Sequence, residues 1–314
     1  VPTYRFCRPD DIPRLVRAVH ECFEPHFSEH GPGIEPLTVE GYRREMKEIS
    51  LWPSNSMLAV GAEVGGPDGE SSSMTTEGAT EVAVGVLTAT KREHEVLITR
   101  VGVRPGHQRQ GHGSHMLTSL SQKLAVLGPP RLVAEVPTDR EDLLAFFAAC
   151  DYRPETTFTD WRRSSDTPVE PVPQGLVTPV TAEELIACGS LEIAEGVAWE
   201  RTRQTIEGRA ERLRGVAIVS PDRVEGWILA LDVRERDERF LDVVAAGVAE
   251  PERRELLLSV LLRHLAQEAV TQAPDRALRC PRLLTGEMPE PVLRGLGFEP
   301  TTQYARLVAE AKPL

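Results

Sequence analysis

ITRVGVRPGHQRQGHGSHML, residues 98–117, is the stretch that decides how this chain is read. An apolar, β-branched run (Val96, Leu97, Ile98, then Val101 and Val103) stops at Pro105, crosses a short polar turn, and enters a helix-like pattern through Gly111 and Gly113. Strand, glycine turn and helix in that order make a phosphate cradle. A helix start leaves backbone N–H groups without intrahelical partners, and the aligned peptide dipoles add partial positive charge there. Glycines at 111 and 113 let ligand oxygens approach the main chain and tolerate positive φ, while Arg109 brings a guanidinium that can fork onto phosphate.

The spacing is neither the dinucleotide pattern GxGxxG nor a P-loop, which would end in Lys-Ser/Thr. A lone pair of glycines would suit an ordinary strand-turn-helix connection equally well. Here the flanking residues add more: Val103-Arg104-Pro105, then Gln108-Arg109-Gln110-Gly111-His112-Gly113. This resembles the acetyl-CoA-binding motif of the GCN5-related N-acetyltransferases, the GNAT family, whose pattern is a hydrophobic strand, V-x-P, and Q/R-x-x-G-x-G/A.

With 314 residues the chain is too long for one domain of that kind, so two domains are expected. Hydrophobic residues at 40% and charged residues at 27% fit a soluble globular protein, with no apolar run near the roughly 20 residues of a membrane span. No signal-peptide pattern opens the sequence, and a cytoplasmic location is expected. A net charge of −12 disfavours a broad nucleic-acid face and suits an amine partner. Five scattered cysteines (Cys7, Cys22, Cys150, Cys188, Cys280) without a CxxC read as free thiols. Lysine occurs only at 47, 91, 123 and 312 while arginine is abundant, a bias of GC-rich bacterial genes.

Taken in order, residues 3–8 read as a strand, and Asp10 or Asp11 caps a helix to about Phe23 with Ile12, Leu15, Val16 and Val19 on one face. RPDDIPRL, residues 8–15, loosely matches the GNAT opening R-x-x-D-x-x-x-[LI]. A second helix spans 38–49. The intervening loop carries His26, Phe27, Glu29 and His30, and either lines an acceptor pocket, as the family implies, or is simply solvated. Strands are expected at 56–61, 81–91 and 93–104, with the Gly/Ser/Thr-rich excursion 63–80 between the first two. A helix over 114–127 follows, with His115, Met116, Leu117, Leu120 and Leu124 as its buried stripe. His107, His112 and His115 raise a metal reading that is set aside, because no carboxylate or thiolate joins them at ligand spacing. A strand at 131–136, a helix from Asp139 to about Cys150 and a strand at 158–162 complete a first domain, 1–163. Within it LLAFFAACDYRP resembles the GNAT closing motif A-x-x-L-Y-x-x-x-G-F, with Phe147 where the family has Tyr and Asp151 where it has Gly.

A Pro-rich linker, 164–175, precedes what reads as a second copy, 176–314. It again opens with a strand and a capped helix (Leu176–Val180, then TAEEL), has strands at 216–219, 224–231, 240–248 and 277–284, a long helix at 252–270, and closes on LRGLGFEP. Superposing Val248 on Val103 sets Arg253 and Arg254 on Gln108 and Arg109, and Leu256 and Leu258 on Gly111 and Gly113. No CoA is expected in this degenerate copy; its arginines either hold an anion or form a solvated face. The expected fold class is α+β (α/β three-layer): two tandem GNAT-like domains, each a mixed, mostly antiparallel sheet flanked by helices.

The resemblance implies an acyl-CoA-dependent N-acetyltransferase that moves an acyl group from acetyl-CoA, or another acyl-CoA, to an amine of a small molecule or peptide by direct attack in a ternary complex. It implies no metal, no nucleic acid and no membrane partner, and a monomer or homodimer. By motif match, Val101, Gly102 and Val103 hold the pantetheine arm and an oxyanion. Gln108, Arg109, Gln110, Gly111, His112, Gly113 and Ser114 hold the pyrophosphate, and Phe147 stands at the position of the family's proton-donating Tyr. Glu95 and Glu135 are the candidate proton acceptors, each equally readable as an exposed strand carboxylate. The missing Tyr leaves a second reading open, a CoA-binding regulatory pseudoenzyme without turnover.

Overall fold

The computed structural model describes residues 2–28, 36–62, 81–235 and 238–313. The chain divides into two compact units: Val1–Ala134 with Ala145–Arg153 and Leu307–Leu314, and Glu135–Leu144 with Pro154–Arg306.

The first unit is built on β1 (Thr3–Phe6), β2 (Met57–Ala62), β3 (Glu81–Lys91), β4 (Glu95–Val103) and the start of β5 (Arg131–Pro137). They lie in that order, antiparallel except for the parallel pair β4–β5. Alternation along β2 and β3 gives the sheet two apolar faces. On one, α1 (Ile12–Ser28) and α2 (Val39–Ile49) bury Leu15, Val16, Val19, Cys22 and Tyr42 against Leu58 and Val86. On the other, α3 (His112–Leu127) buries Met116, Leu117, Leu120 and Leu124, and comes so close that a Cβ on Gly85 would lie 3.0 Å from the Met116 methyl. His115, expected in that stripe, is exposed instead, because its position falls on the flank of the helix. At the other edge Asp11 does not cap α1. It accepts hydrogen bonds from both Arg5 guanidinium nitrogens, 2.7 Å each, and from the Arg8 N–H within a short 3-10 turn. The helix runs on to Ser28, past the expected end at Phe23. Glu29, His30 and the excursion 63–80 lie outside the described residues, and His26 and Phe27 fall in the last turn of α1.

The second unit repeats the plan. β7 (Thr178–Val180), α5 (Ala182–Ala187), α6 (Arg203–Gly208), β8 (Leu213–Val219), β9 (Val224–Glu235), β10 (Glu238–Val248), α7 (Arg254–Gln272), β11 (Arg276–Leu284), α8 (Glu290–Gly295) and β12 (Phe298–Glu310) follow the order of the first. α5 starts on a capping box, Thr181 and Glu184 satisfying each other's backbone N–H groups. The registers repeat as well. Gly85 faces Val103 across β3–β4, and Gly226 faces Val248 across β9–β10. Thr99 is bulged out of the β3–β4 ladder, and Val244, its counterpart, is bulged out of β9–β10. Both faces of this sheet are again covered, α7 on one through Leu257, Leu258, Leu261, Leu262 and Leu265, and α5 with α6 on the other through Leu185 and Ile206.

The division departs from the linear expectation of 1–163, 164–175 and 176–314. β6 (Arg153–Arg163), the last strand of the first repeat, pairs antiparallel with β11, from Arg163 opposite Leu278 to Phe158 opposite Leu284. Its hydrogen bonds therefore go to the second unit, and β12 lies beside it there. In the first unit the chain end returns, Ala311 N–H bonding the Pro130 carbonyl and Lys312 N–H the Ser121 hydroxyl. The helix expected from Asp139 is α4 (Glu141–Ala148); Arg140, forked onto Asp142, occupies the turn before it.

Both repeats turn from their last helix into their last strand through a left-handed residue, Gly297 (φ 78°) in one and Asp151 (φ 67°) in the other. A Cβ in that region costs about 1–2 kcal/mol, less for Asp, whose short polar side chain bonds locally. Asp151→Ala is therefore expected to lower stability by about 1 kcal/mol relative to Asp151→Gly in denaturant melts.

Candidate active site

The site begins where two strands separate. β4 and β5 pair in parallel only from Glu95 opposite Arg131 to Ile98 opposite Ala134. The next residue, Thr99, is the bulge, pinned to β3 by its hydroxyl, 2.8 Å from the Thr88 hydroxyl and 3.0 Å from the Thr88 carbonyl. Beyond it Val101, Gly102 and Val103 continue along β3 alone within the ladder, so one edge of this segment is not engaged by β5. The Phe23 ring of α1 lies over Gly102, so close that a Cβ there would fall 2.5 Å from it. Arg100, on the same face, forks onto Glu45 of α2 at 2.9 and 2.7 Å.

The turn that follows contains three left-handed residues, Gly106 (φ 85°), Arg109 (φ 62°) and Gly111 (φ 84°). Left-handed residues within such a turn converge backbone N–H groups into an anion-binding nest, and Arg109 holds that conformation without the freedom of glycine. The turn braces itself, Gln108 donating to the Val103 carbonyl at 3.1 Å and Gln110 to the Gly106 carbonyl at 3.2 Å. Nothing lies within 4 Å of a Cβ built on Gly111, so this position of the turn faces open space. Gly113 is needed for the opposite reason: a Cβ there would press on the Phe146 ring at 3.1 Å. His112, between them, turns inward. Its Nδ1 is 2.5 Å from the Tyr4 hydroxyl, whose pKa burial raises. Ser114 begins the exposed flank of α3.

Phe147 is buried, edge-on to Tyr152 with centroids 5.0 Å apart and beside Phe146 at 5.2 Å. Burial pushes the Tyr152 phenol well above its ordinary pKa. Glu95 pairs with Arg131, 3.2 Å away across the parallel ladder. Glu135, in the second unit, is 1% exposed and held from three sides. Arg306 and Arg282 each donate to it at 2.9 Å, and the Trp199 N–H at 3.1 Å. Sequence reasoning placed the cradle residues together but missed these arginines, which lie some 150 residues further along. Phe23, Tyr4 and the Arg100–Glu45 pair were missed too, since only the fold brings them to β4 and α3. Among the described residues no three His, Cys, Asp or Glu side chains are grouped to hold a metal, and no helix is long and apolar enough to cross a membrane.

The second unit keeps the strands and loses the turn. α7 starts at Arg254, the counterpart of Arg109, so the positions matching Gly111 and Gly113 are helical and none from 251 to 258 has positive φ. Leu258 enters the core, and Leu256 is 62% exposed. The two arginines are engaged internally, Arg253 with Glu225 at 3.2 Å and Arg254 with the Glu287 carbonyl at 2.6 Å.

Residues 44–152 match the model of the acetyltransferase (GNAT) family. Among solved structures, a GCN5-related N-acetyltransferase from Sphaerobacter thermophilus is similar over 99% of this chain and 96% of its own, with TM-score 0.62 and 18% identity. A tandem GNAT protein from the clavulanic acid biosynthesis pathway is similar over 100% and 98%, with TM-score 0.63 and 18% identity. A GCN5-related N-acetyltransferase from Anabaena variabilis follows at 99% and 73%, TM-score 0.58 and 14% identity. No curated protein matches the sequence significantly.

The two cradle glycines should respond differently to substitution. Gly113→Leu forces Phe146 aside and is expected to cost about 1–3 kcal/mol of stability. Gly111→Ala, with free space but left-handed φ, should cost about 1–2 kcal/mol. Urea melts of the full chain measure both.

Proposed function

We propose, from the match of residues 44–152 to the model of the acetyltransferase (GNAT) family, that the protein transfers an acyl group from acetyl-CoA, or another acyl-CoA, to an amine of a small molecule or peptide in its first unit. The observation that carries the reading is the open turn Gly106–Gly111 with its left-handed residues, facing the start of α3. It offers backbone N–H groups, a helix dipole and the exposed Arg109 to a pyrophosphate. Gln108 and Gln110 shape the turn, and His112, Gly113 and Ser114 open the helix whose N–H groups meet the phosphates. Val101, Gly102 and Val103, beyond the last β5 pair, have backbone groups for the acyl arm, one N–H serving as oxyanion donor. Phe147 and Phe146 wall that arm with apolar surface.

The amine attacks only when neutral, and an aliphatic amine with a pKa of about 10 is mostly protonated at pH 7. Glu135 is poorly suited to take that proton, because neutralising it would strand two guanidinium groups in the interior. Glu95 is likewise engaged, by Arg131. We assign the proton to solvent, and the departing thiolate, close to the pKa of an ordinary thiol, leaves without a tyrosine donor. Chemistry limited by the free-amine fraction makes log kcat/KM rise with a slope of about one from pH 6 towards the amine pKa. A side-chain base would instead give a plateau above its own pKa.

Calorimetry with acetyl-CoA is expected to show binding to the wild type and affinity weaker by about tenfold or more for Arg109→Ala. Equal affinity, or none in either protein, would overturn the assignment. Thiol release across a panel of amines then decides between turnover and a CoA-binding regulatory protein, the reading favoured by Phe147; saturable release excludes the latter. Glu135→Gln should act on the fold, lowering stability by about 3–5 kcal/mol as Arg306 is left unpaired in the interior. A variant with wild-type melting and abolished turnover would make Glu135 the base after all.

A further inference from the structure

In the second unit β11 carries a strained residue that strand pairing alone does not require. Its ladder with β6 shifts between Cys280 and Leu283, and within that bulge Arg282 has φ of 49°. Glycine takes such a position at no steric cost, so an arginine there points to a use for its side chain. β6 holds the bulge from across the ladder, Asp160 Oδ1 accepting the Arg282 N–H at 2.6 Å. The guanidinium lies over the Tyr304 ring, 4.7 Å from its centroid, and Nη1 donates to the buried Glu135 at 2.9 Å. Among the described residues Nε and Nη2 have no hydrogen-bond partner, and the side chain is 25% exposed.

A carboxylate stands beside this guanidinium. Glu200 is the middle residue of the 3-10 turn Trp199–Arg201, whose two flanking side chains are almost fully buried, so its backbone is fixed while its own side chain is 43% exposed. Its Oε1 is 3.9 Å from Arg282 Nη1, beyond hydrogen-bonding distance. Desolvation opposes the ionisation of Glu200, but Arg282, then Arg209, Arg279 and Arg201, lower its pKa, and it is charged at neutral pH. A cation and an anion, each with unused hydrogen-bonding capacity, are thus held side by side facing solvent.

We propose that Arg282 and Glu200 form a binding site for the zwitterionic head group of an α-amino acid, the guanidinium taking the ligand's carboxylate through Nε and Nη2 and Glu200 taking its ammonium. A bare carboxylate or phosphate would meet the charges of Glu200 and Glu135, and a bare amine would leave the guanidinium donors unused. Opposite charges on one carbon match an opposite pair fixed side by side. The site stands on these contacts and does not depend on acyl transfer in the first unit.

Calorimetric titration of the full chain with L-alanine, L-glutamine and L-phenylalanine, in the absence of acyl-CoA, tests this. At least one is expected to bind saturably. For that amino acid the methyl ester, which lacks the carboxylate, and the N-acetyl derivative, which lacks the ammonium, should each bind at least about tenfold more weakly. Glu200→Gln, at an exposed side chain, should keep the wild-type Tm and lose at least about tenfold in affinity. Arg282→Lys keeps a cation for Glu135 but not the planar fork, and should lose as much. No saturable binding by any of the three, equal affinity for either derivative, or wild-type affinity in either folded variant overturns the proposal. Failure here leaves the acetyl-CoA titration of Arg109→Ala to decide the first unit by itself, and the reverse.

Discussion

A parallel strand pair that must stop after four residues is the constraint on which both units depend. Parallel strands are joined by a crossover helix, and the strands β4 and β5 are tied by α3 as β10 and β11 are by α7. On the first strand of each pair the ladder ends close before a bulge, directly before Thr99 in the first unit and two residues before Val244 in the second. A bulge bends its strand and shifts its hydrogen-bonding edge, so the strand beyond it follows its antiparallel neighbour and leaves its parallel one. Beyond its bulge the first unit leaves the β5 side of Val101, Gly102 and Val103 outside the ladder, while in the second unit the carbonyls of Val243 and Pro281, next to the end of the ladder, accept from Arg201.

In the first unit that segment runs into a turn whose backbone is bent against its own preference. Arg109 takes a conformation better suited to glycine, between two glycines that also take it. Such strain persists where the surroundings over-determine it, here through Gln108, Gln110 and the Tyr4–His112 bond that fixes the first turn of α3. In the second unit the helix simply begins three positions earlier, with Arg254 where Arg109 would stand. No left-handed residue is required, leucine is tolerated at the glycine positions, and Leu258 adds to the core. Loss of the cradle is thus a change of helix start, and leucine, a better helix former than glycine, suits both positions once they are helical.

The cradle was legible because its residues are adjacent in sequence and each has a backbone reason for its identity. The repeat was legible as far as its strands and its closing turn, where Gly297 and Asp151 share a left-handed conformation despite their different side chains. The pairing of β6 with β11 was not, since nothing local in a strand says which neighbouring strand it joins. The ion pairs of Glu135 were equally hidden: a strand glutamate reads as exposed unless the arginines that neutralise it, Arg282 and Arg306, are known to converge on it. Arg282 reaches that place with φ of 49° and its own N–H bonded to Asp160 at 2.6 Å, a local distortion that no periodicity announces.

In the second unit Arg201, buried, bridges β10 and β11 next to the end of their parallel ladder, and the reason a charge is buried there, costly as that is, follows from its surroundings. An apolar side chain of similar length would fill the volume but leave the carbonyls of Val243 and Pro281 buried without donors. Each such orphan costs about 1–3 kcal/mol. A hydroxyl could satisfy one of them and an amide NH2 both, whereas a guanidinium serves both through Nη1 and still has an N–H and a positive charge for a carboxylate. Glu287 then supplies the opposite charge, itself tied to the Leu284 N–H and, through its carbonyl, to Arg254. The arginine left over from the degenerate cradle is thereby recruited to hold the segment that carries the counter-ion.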